Sequence, residues 1–328
     1  MTSASVHSAN ENPGTFDPIN VGYNATFTPG KLSIGLVVPI ETYPNSAVPT
    51  LEQHIERVQL AESLGFSAVW LRDVIFNVPS FGDAGQTLDP FVYLGALATQ
   101  TSKIALGVAS IILPLRHPAH VAKSAASADN LSGGRLIMGI ASGDRPEEYP
   151  ALNSNFSDRG SRFRDSYDYI RQVGASNAEF SNAFGQVESG LDLLPKPDGT
   201  RLPLMITGSS QQSDDWIGAN GDGWITYPRH AQLQSQLIDR YRKNNVRNGE
   251  TRKPVMEPLY IDLLEDPGAS AVPIHLGVRT GIHHLRKYLD ERQSIGVNHV
   301  ALNLRFNRAP IDATLTTLAN ELIPTTAH

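Results

Sequence analysis

Short apolar runs alternate along the chain with longer segments whose apolar positions recur at helical spacing. The first run covers 32–38 and stops at Pro39. A helix is predicted from Thr50: its hydroxyl caps the first turn while Gln53 reaches back, and Leu51, Ile55, Val58 and Leu64 form one stripe that ends at Gly65. A second strand at 68–71 leads through a polar loop to Asp89-Pro90, the N-cap and first residue of a helix through Thr99. The third strand starts at Ile104, and in it the small pair Ala109-Ser110 interrupts bulky residues ahead of Pro114. Its helix begins near Pro118 and ends at Ser132-Gly133-Gly134, before a fourth strand at 136–141.

Residues 142–162 are too long and polar for an ordinary strand-to-helix loop, which marks them as functional. A helix is read at 163–182 and an excursion with room for a small hairpin at 183–202. Strand five, 203–207, precedes Gly208-Ser209-Ser210 and a helix to Ala219. Strand six is 223–226 with a helix over 232–245, strand seven is 255–263, a last helix covers 276–292, and strand eight is 297–304. The strands are apolar throughout rather than in period two, as in a parallel sheet covered by helices. Eight such units predict an α/β fold, a (β/α)8 TIM barrel with insertion loops at its C-terminal face, occupying 32–328 as a single domain. A doubly wound sheet needs Gly-x-Gly-x-x-Gly after an early strand, where this chain has Pro39-Ile40-Glu41-Thr42.

Residues 1–31, rich in Ser, Asn, Gly and Pro, lack both a charged and an apolar leader region, so no secretion signal is read there. They are expected to form an irregular N-terminal arm that packs on the barrel or on a second subunit, or to be disordered. No apolar run reaches the roughly 20 residues that span a bilayer.

Among 328 residues, 27 Lys and Arg face 33 Asp and Glu, a net charge of −6, and no basic stripe is present. Nucleic acid and anionic membranes are thereby disfavoured as partners, and a small-molecule substrate is expected. The absence of cysteine excludes disulfides, thiolate metal sites and a Cys nucleophile, and is compatible with a cytoplasmic location.

In a barrel the chemistry sits where strands end. Those positions hold Arg72 and Asp73; Ala109, Ser110, Arg116 and His117; Ser142, Gly143, Asp144, Arg145 and Tyr149; and Gly208, Ser209 and Ser210. The last turn reads either as an anion site, most simply for one phosphate, or as a helix cap by Ser210. No lysine ends a strand as a Schiff-base enzyme needs, since Lys103, Lys123 and Lys196 fall elsewhere. The clusters His117-x-x-His120 and His283-His284 end no strand beside an acid, so no metal site is expected and these histidines are read as structural or solvent-facing.

The stretch LGVASIILPLRHPAHVAKSAASADNLSGGRLIMGIASGDRPEEYPAL, with AESLGFSAVWLRD upstream and PLMITGSSQ and GDGWI downstream, resembles the bacterial luciferase-like flavin monooxygenase superfamily over 32–304. The resemblance implies a barrel that binds FMN, or in sister groups F420, with the ring against strands three and four. Members commonly carry a strained, sometimes cis, non-proline peptide in strand three, here matching Val108, Ala109 and Ser110. Ser142 and Gly143 would flank the ring, Arg145 and Tyr149 would cover the ribityl chain, and Gly208, Ser209 and Ser210 would hold the phosphate. Arg159 and Arg162 either reach the phosphate or lie on a solvated helix start; with Arg145 they would also suit the tail of F420. The Ser-Gly-Gly-Arg turn falls at the opposite face and reads as structural.

Many members carry histidine after strand two, whereas this chain has Leu71-Arg72-Asp73-Val74. The proton-transfer residue is therefore unassigned, with Arg72 and Asp73 as the catalytic candidates. Arg72 would pair with Asp73, contact a flavin edge or bind an acidic substrate. Tyr43, Phe76, Phe81 and Tyr149 offer apolar surface for the substrate. The implied activity is an FMN-dependent monooxygenation of a small organic substrate, using O2 and reduced FMN from a separate flavin reductase. F420-dependent hydride transfer and non-catalytic flavin binding are the alternatives, and a homodimer is the family expectation.

Overall fold

The computed structural model describes residues 15–247 and 252–323. Eight parallel strands, β1 (Ser33–Val37), β2 (Ala68–Leu71), β3 (Ala105–Ile112), β4 (Leu136–Ala141), β5 (Leu204–Thr207), β6 (Gly223–Ile225), β7 (Val255–Leu263) and β8 (His299–Asn303), pair in sequence order. The ring closes where β8 returns to β1, with Ser33 opposite His299 and Leu36 opposite Leu302. Helices follow the strands as α1 (His54–Ser63), α2 (Pro90–Gln100), α3 (Pro118–Ser132), α4 (Arg159–Val173), α5 (Asp214–Asn220), α6 (Ala231–Arg247), α7 (Ile282–Ser294) and α8 (Ile311–Leu322). The expected TIM barrel is the observed fold. Among the described residues, no helix is long and apolar enough to cross a membrane.

Alternate strand residues divide between two apolar clusters. One, with Leu36, Leu106 and Leu204, packs between strands and helices. The other fills the barrel with Trp70, Ile137, Met205 and Met256. Trp70 takes so much of this interior that a Cβ on Gly107 would lie 2.3 Å from its ring. Trp70 Nε1 donates to His299 Nε2 at 2.8 Å, and burial lowers the His299 pKa to about 3, so the imidazole sits neutral in the barrel.

The arm closes the N-terminal end of the barrel. Ile19, Tyr23 and Phe27 join the interior cluster, Asn20 Nδ2 donates to the Leu136 carbonyl at 2.7 Å, and the Tyr23 hydroxyl donates to the Asp222 carbonyl at 2.7 Å. It is not wholly irregular, because Val21–Thr26 form a helical turn capped by Asn20. Residues 1–14 of the predicted arm lie outside the described residues.

Several predicted boundaries move, each for a local reason. Thr50 does not cap α1: buried Glu41 takes the Thr50 and Leu51 amides at 2.7 and 2.9 Å and the Thr50 hydroxyl at 3.2 Å, so the helix starts at His54. The helix read at 163–182 is α4, which starts at Arg159 and ends at Val173; the excursion hairpin pairs Phe180–Asn182 with Gly185–Val187. The predicted helix at 276–292 begins only at Ile282. Before it, Val272–Ile274 and Gly277–Thr280 form a hairpin whose second strand pairs parallel with β7. There a Cβ on Gly277 would lie 1.8 Å from the Tyr260 carbonyl oxygen, so the contact requires glycine. Helix α8 was not anticipated, although Ile311, Leu315, Leu318 and Ala319 bury one of its faces.

Candidate active site

The C-terminal ends of the strands surround an open cleft. Beneath it lies a smaller apolar well, and Arg72, Ala109, Thr207, Tyr227, Tyr260 and Leu276 line both. The Ala109–Ser110 peptide is cis, and the β3–β4 register shifts between Val108, opposite Met138, and Ile111, opposite Ile140. The Ser110 hydroxyl bonds the Thr207 hydroxyl of β5. Ala109 and Ser110 therefore present small side chains to the cleft, whereas Val108 is fully buried in the outer core.

Past β4, Ser142 and Gly143 also line the cleft. Gly143 has a φ of 78°, and a Cβ there would come within 2.8 Å of both the Tyr149 hydroxyl and Ile112. Tyr149 is fully buried and donates to the Ser142 carbonyl, while burial pushes its pKa up to about 12. It shapes this wall from behind and is absent from the lining itself. Arg145 does reach the cleft, stacked 4.7 Å from the Phe81 ring centroid. Phe76 lies outside the lining.

The turn after β5 faces open space: nothing lies within 4 Å of a Cβ built on Gly208. Gly208, Ser210 and Gln211 have φ values of 58°, 45° and 61°. The turn is anchored by the Gly208 amide donating to the Ile225 carbonyl at 2.8 Å and by Trp224 Nε1 donating to the Gly208 carbonyl at 2.9 Å. Ser210 is not a helix cap, because its hydroxyl donates to the Thr207 carbonyl at 2.8 Å. Ser213 caps α5 instead, three residues further on, so the amides of α5 do not begin at the glycine-serine turn as its sequence suggested. Arg159 joins Gly208, Ser209 and Ser210 in the cleft lining, its guanidinium 3.7 Å from the Phe156 ring centroid. Arg162 turns away to the Pro114 carbonyl at 3.2 Å.

The two candidates after β2 have different partners from those expected. Asp73 is held by Arg116, not Arg72, through bonds of 2.9 and 2.7 Å, and accepts from the Ile112 amide at 3.1 Å. Arg72 pairs with Asp83 at 2.8 Å, and Arg305 reaches the same carboxylate at 3.0 Å. Burial resists the charge on Arg72, but Tyr43 and Asp83 outweigh it and raise its pKa, so it is a permanent cation. Burial raises the Asp83 pKa, but Arg72, the Gly85 amide and Arg305 outweigh it and hold the carboxyl below its usual range. The histidine His117 caps α3 by accepting from the Ala119 amide at 3.2 Å.

Sequence reading missed Asp83, Tyr227, Tyr260, His275 and Arg305 in the lining. Arg305 directly follows the apolar run of β8 and obeys the strand-end rule that exposed Arg72. His275 carries no such signal, because it enters on a hairpin that the sequence pattern did not reveal.

The model of the family described as luciferase-like monooxygenase matches residues 31–261. The chain belongs to that family. An F420-dependent hydroxymycolic acid dehydrogenase of Mycobacterium tuberculosis is 28% identical over 213 residues, 63% of this chain and 56% of that protein. The oxygenase component of a flavin-dependent trigonelline monooxygenase from Acinetobacter baylyi is 25% identical over 181 residues, 55% of this chain and 49% of that protein. The chain thus spans about half the length of these luciferase-like relatives. In fold it is similar to the crystal structure of a monooxygenase from Streptomyces bottropensis, with a TM-score of 0.76 at 18% identity over 90% of this chain and all of that one.

Proposed function

We propose that this luciferase-like oxidoreductase holds FMN in the cleft and uses the reduced flavin with O2 to oxidise a small organic substrate. One observation carries the reading: the small wall at Ala109, Ser110 and Gly143 and the open turn at Gly208, Ser209 and Ser210 line one cleft. A flat ring fits against side chains no larger than a hydroxymethyl group, and a phosphate fits a turn with left-handed residues and a cationic neighbour, Arg159. When bound, the flavin supplies the redox chemistry; the chain orients it, excludes water through the apolar well and holds the substrate against it.

F420-dependent hydride transfer is the second reading, favoured by the activity named for the mycobacterial relative. Taking a hydride from an alcohol also requires a base for the hydroxyl proton. The ionisable side chains of the well are Arg72, Tyr227 and Tyr260, and burial pushes both tyrosines above the ordinary phenol range. None of these three accepts a proton near neutrality, so in hydride transfer that role would fall to a side chain of the cleft above, where His275 lies. A separate reductase fits the monooxygenase reading, as the Acinetobacter relative is named an oxygenase component.

The test is equilibrium titration with FMN and F420, each oxidised and reduced, on wild type and Gly208→Asp. Preference for FMN, abolished by the added carboxylate, is the expected result, followed by substrate-dependent O2 consumption. Preference for F420 selects hydride transfer, flavin binding without any turnover leaves a carrier, and binding of neither overturns the assignment.

A further inference from the structure

Arg72 is a cation without a carboxylate of its own. Asp83 is shared with Arg305, at 2.8 and 3.0 Å, so one negative charge stands between two positive ones. Arg305 keeps its hold on Asp83 through Nη1 and is fixed by further partners: its Nη2 donates to the Ser46 and Gly82 carbonyls at 2.9 and 2.7 Å, and its guanidinium stacks 4.9 Å from the Tyr43 ring centroid. Asp73, the next residue along, is saturated by Arg116 and the Ile112 amide.

The surroundings of Arg72 make that imbalance costly. Its Nε is buried with no hydrogen-bond partner among the described residues, while Nη2 forms the ion pair with Asp83 and donates to the Tyr43 hydroxyl at 3.3 Å. Arg72 lines both cavities, and the well below is walled by Val37, Trp70, Leu71, Ile225 and Met256. A charge left partly unpaired against such a wall is stabilised when a ligand brings the opposite charge.

We propose that Arg72 is the substrate anchor of this site and that the substrate is an apolar organic acid, its carboxylate on Arg72 and its hydrocarbon or aromatic body in the well. Asp83, Tyr43 and Arg305 are positioning residues that hold the guanidinium at the wall. The inference rests on the oxidoreductase reading only in calling the acid a substrate; the binding itself is independent of the cofactor.

Calorimetric titration of the purified protein, with and without saturating FMN, using benzoate and phenylacetate against benzamide and phenylacetamide, tests the anchor. The acids are expected to bind about tenfold or more tightly than their amides, the margin of a charge-assisted hydrogen bond. Arg72→Gln should erase that margin and leave FMN affinity within about threefold of wild type, a span below one hydrogen bond. Arg72→Lys, which keeps the charge, should retain a reduced preference and covers the case of a poorly folded glutamine variant. Equal binding of acids and amides, binding of neither, or a variant that loses FMN while keeping the acid preference would each overturn the assignment. Acid binding without FMN binding would sustain the anchor and remove the cofactor reading instead.

Discussion

Arg116 grips Asp73 with two parallel bonds, Nε to Oδ2 at 2.9 Å and Nη2 to Oδ1 at 2.7 Å, and so ties the end of β2 to the segment after β3. Asp73 is 6% exposed and also receives the Ile112 amide, which closes the strand carrying Ala109 and Ser110. The pair braces the wall of the cleft, which Asp73 lines. Asp73→Asn should lower stability by about 2–3 kcal/mol, because it leaves Arg116 half-paired in a partly buried setting. Urea denaturation checks this, and a loss under about 0.5 kcal/mol, the surface-pair range, would show the contact to be dispensable.

Gly143→Ala places a methyl group 2.8 Å from the Tyr149 hydroxyl and Ile112, at a φ of 78°. Both the clash and the left-handed backbone oppose the change, at about 2–3 kcal/mol in total. Thermal unfolding should show a lowered Tm together with weakened flavin binding. An unchanged Tm would mean that the 142–162 loop shifts freely.

Glu257 on β7 is 1% exposed, and neither of its carboxyl oxygens has a hydrogen-bond partner among the described residues. Burial raises its pKa from 4.5 to about 7, with Arg292 opposing the shift. Between these values the folded chain keeps a proton that the unfolded chain has released, so stability falls as pH rises through the window, by up to about 3 kcal/mol. Glu257→Gln should therefore stabilise at pH 8 and lose that advantage below about pH 5, where the wild-type carboxyl is protonated in both states. Denaturation midpoints at the two pH values decide it; an equal effect at both would rule out titration of this group.

His299 is shifted the other way, from 6.5 to about 3 by burial. The unfolded chain then binds a proton first as pH falls, so this contribution is complete above about pH 6.5 and is progressively lost down to about pH 3. The imidazole resonances should stay in the neutral form from pH 8 to about pH 4.5, with Nε2 accepting from Trp70. An NMR titration midpoint near 6 would contradict the burial of this ring.

The sequence determined the architecture. Eight apolar runs separated by helical stripes required a covered parallel sheet, and the small residues at 109–110, 142–143 and 208–210 marked where three strands end in a shared cleft. Such signals are local: strand burial, helix stripes and turn chemistry act between residues close in the chain. Helix α8 carries an equally legible stripe of Ile311, Leu315 and Leu318, but it follows the eighth strand, where the barrel pattern is already complete.

Only the tertiary structure decided which charge meets which. Adjacent Arg72 and Asp73 look like a pair in the sequence and both line the cleft, yet each finds its partner on another loop, Asp83 and Arg116. Thr50 lost its cap to Glu41, and Tyr149 withdrew behind Gly143, because a buried carboxylate and a buried phenol take whatever donor or acceptor the packed chain brings within reach. Long-range pairing, which places Arg72 beside Asp83, and burial, which keeps His299 neutral, exist only once the barrel has closed.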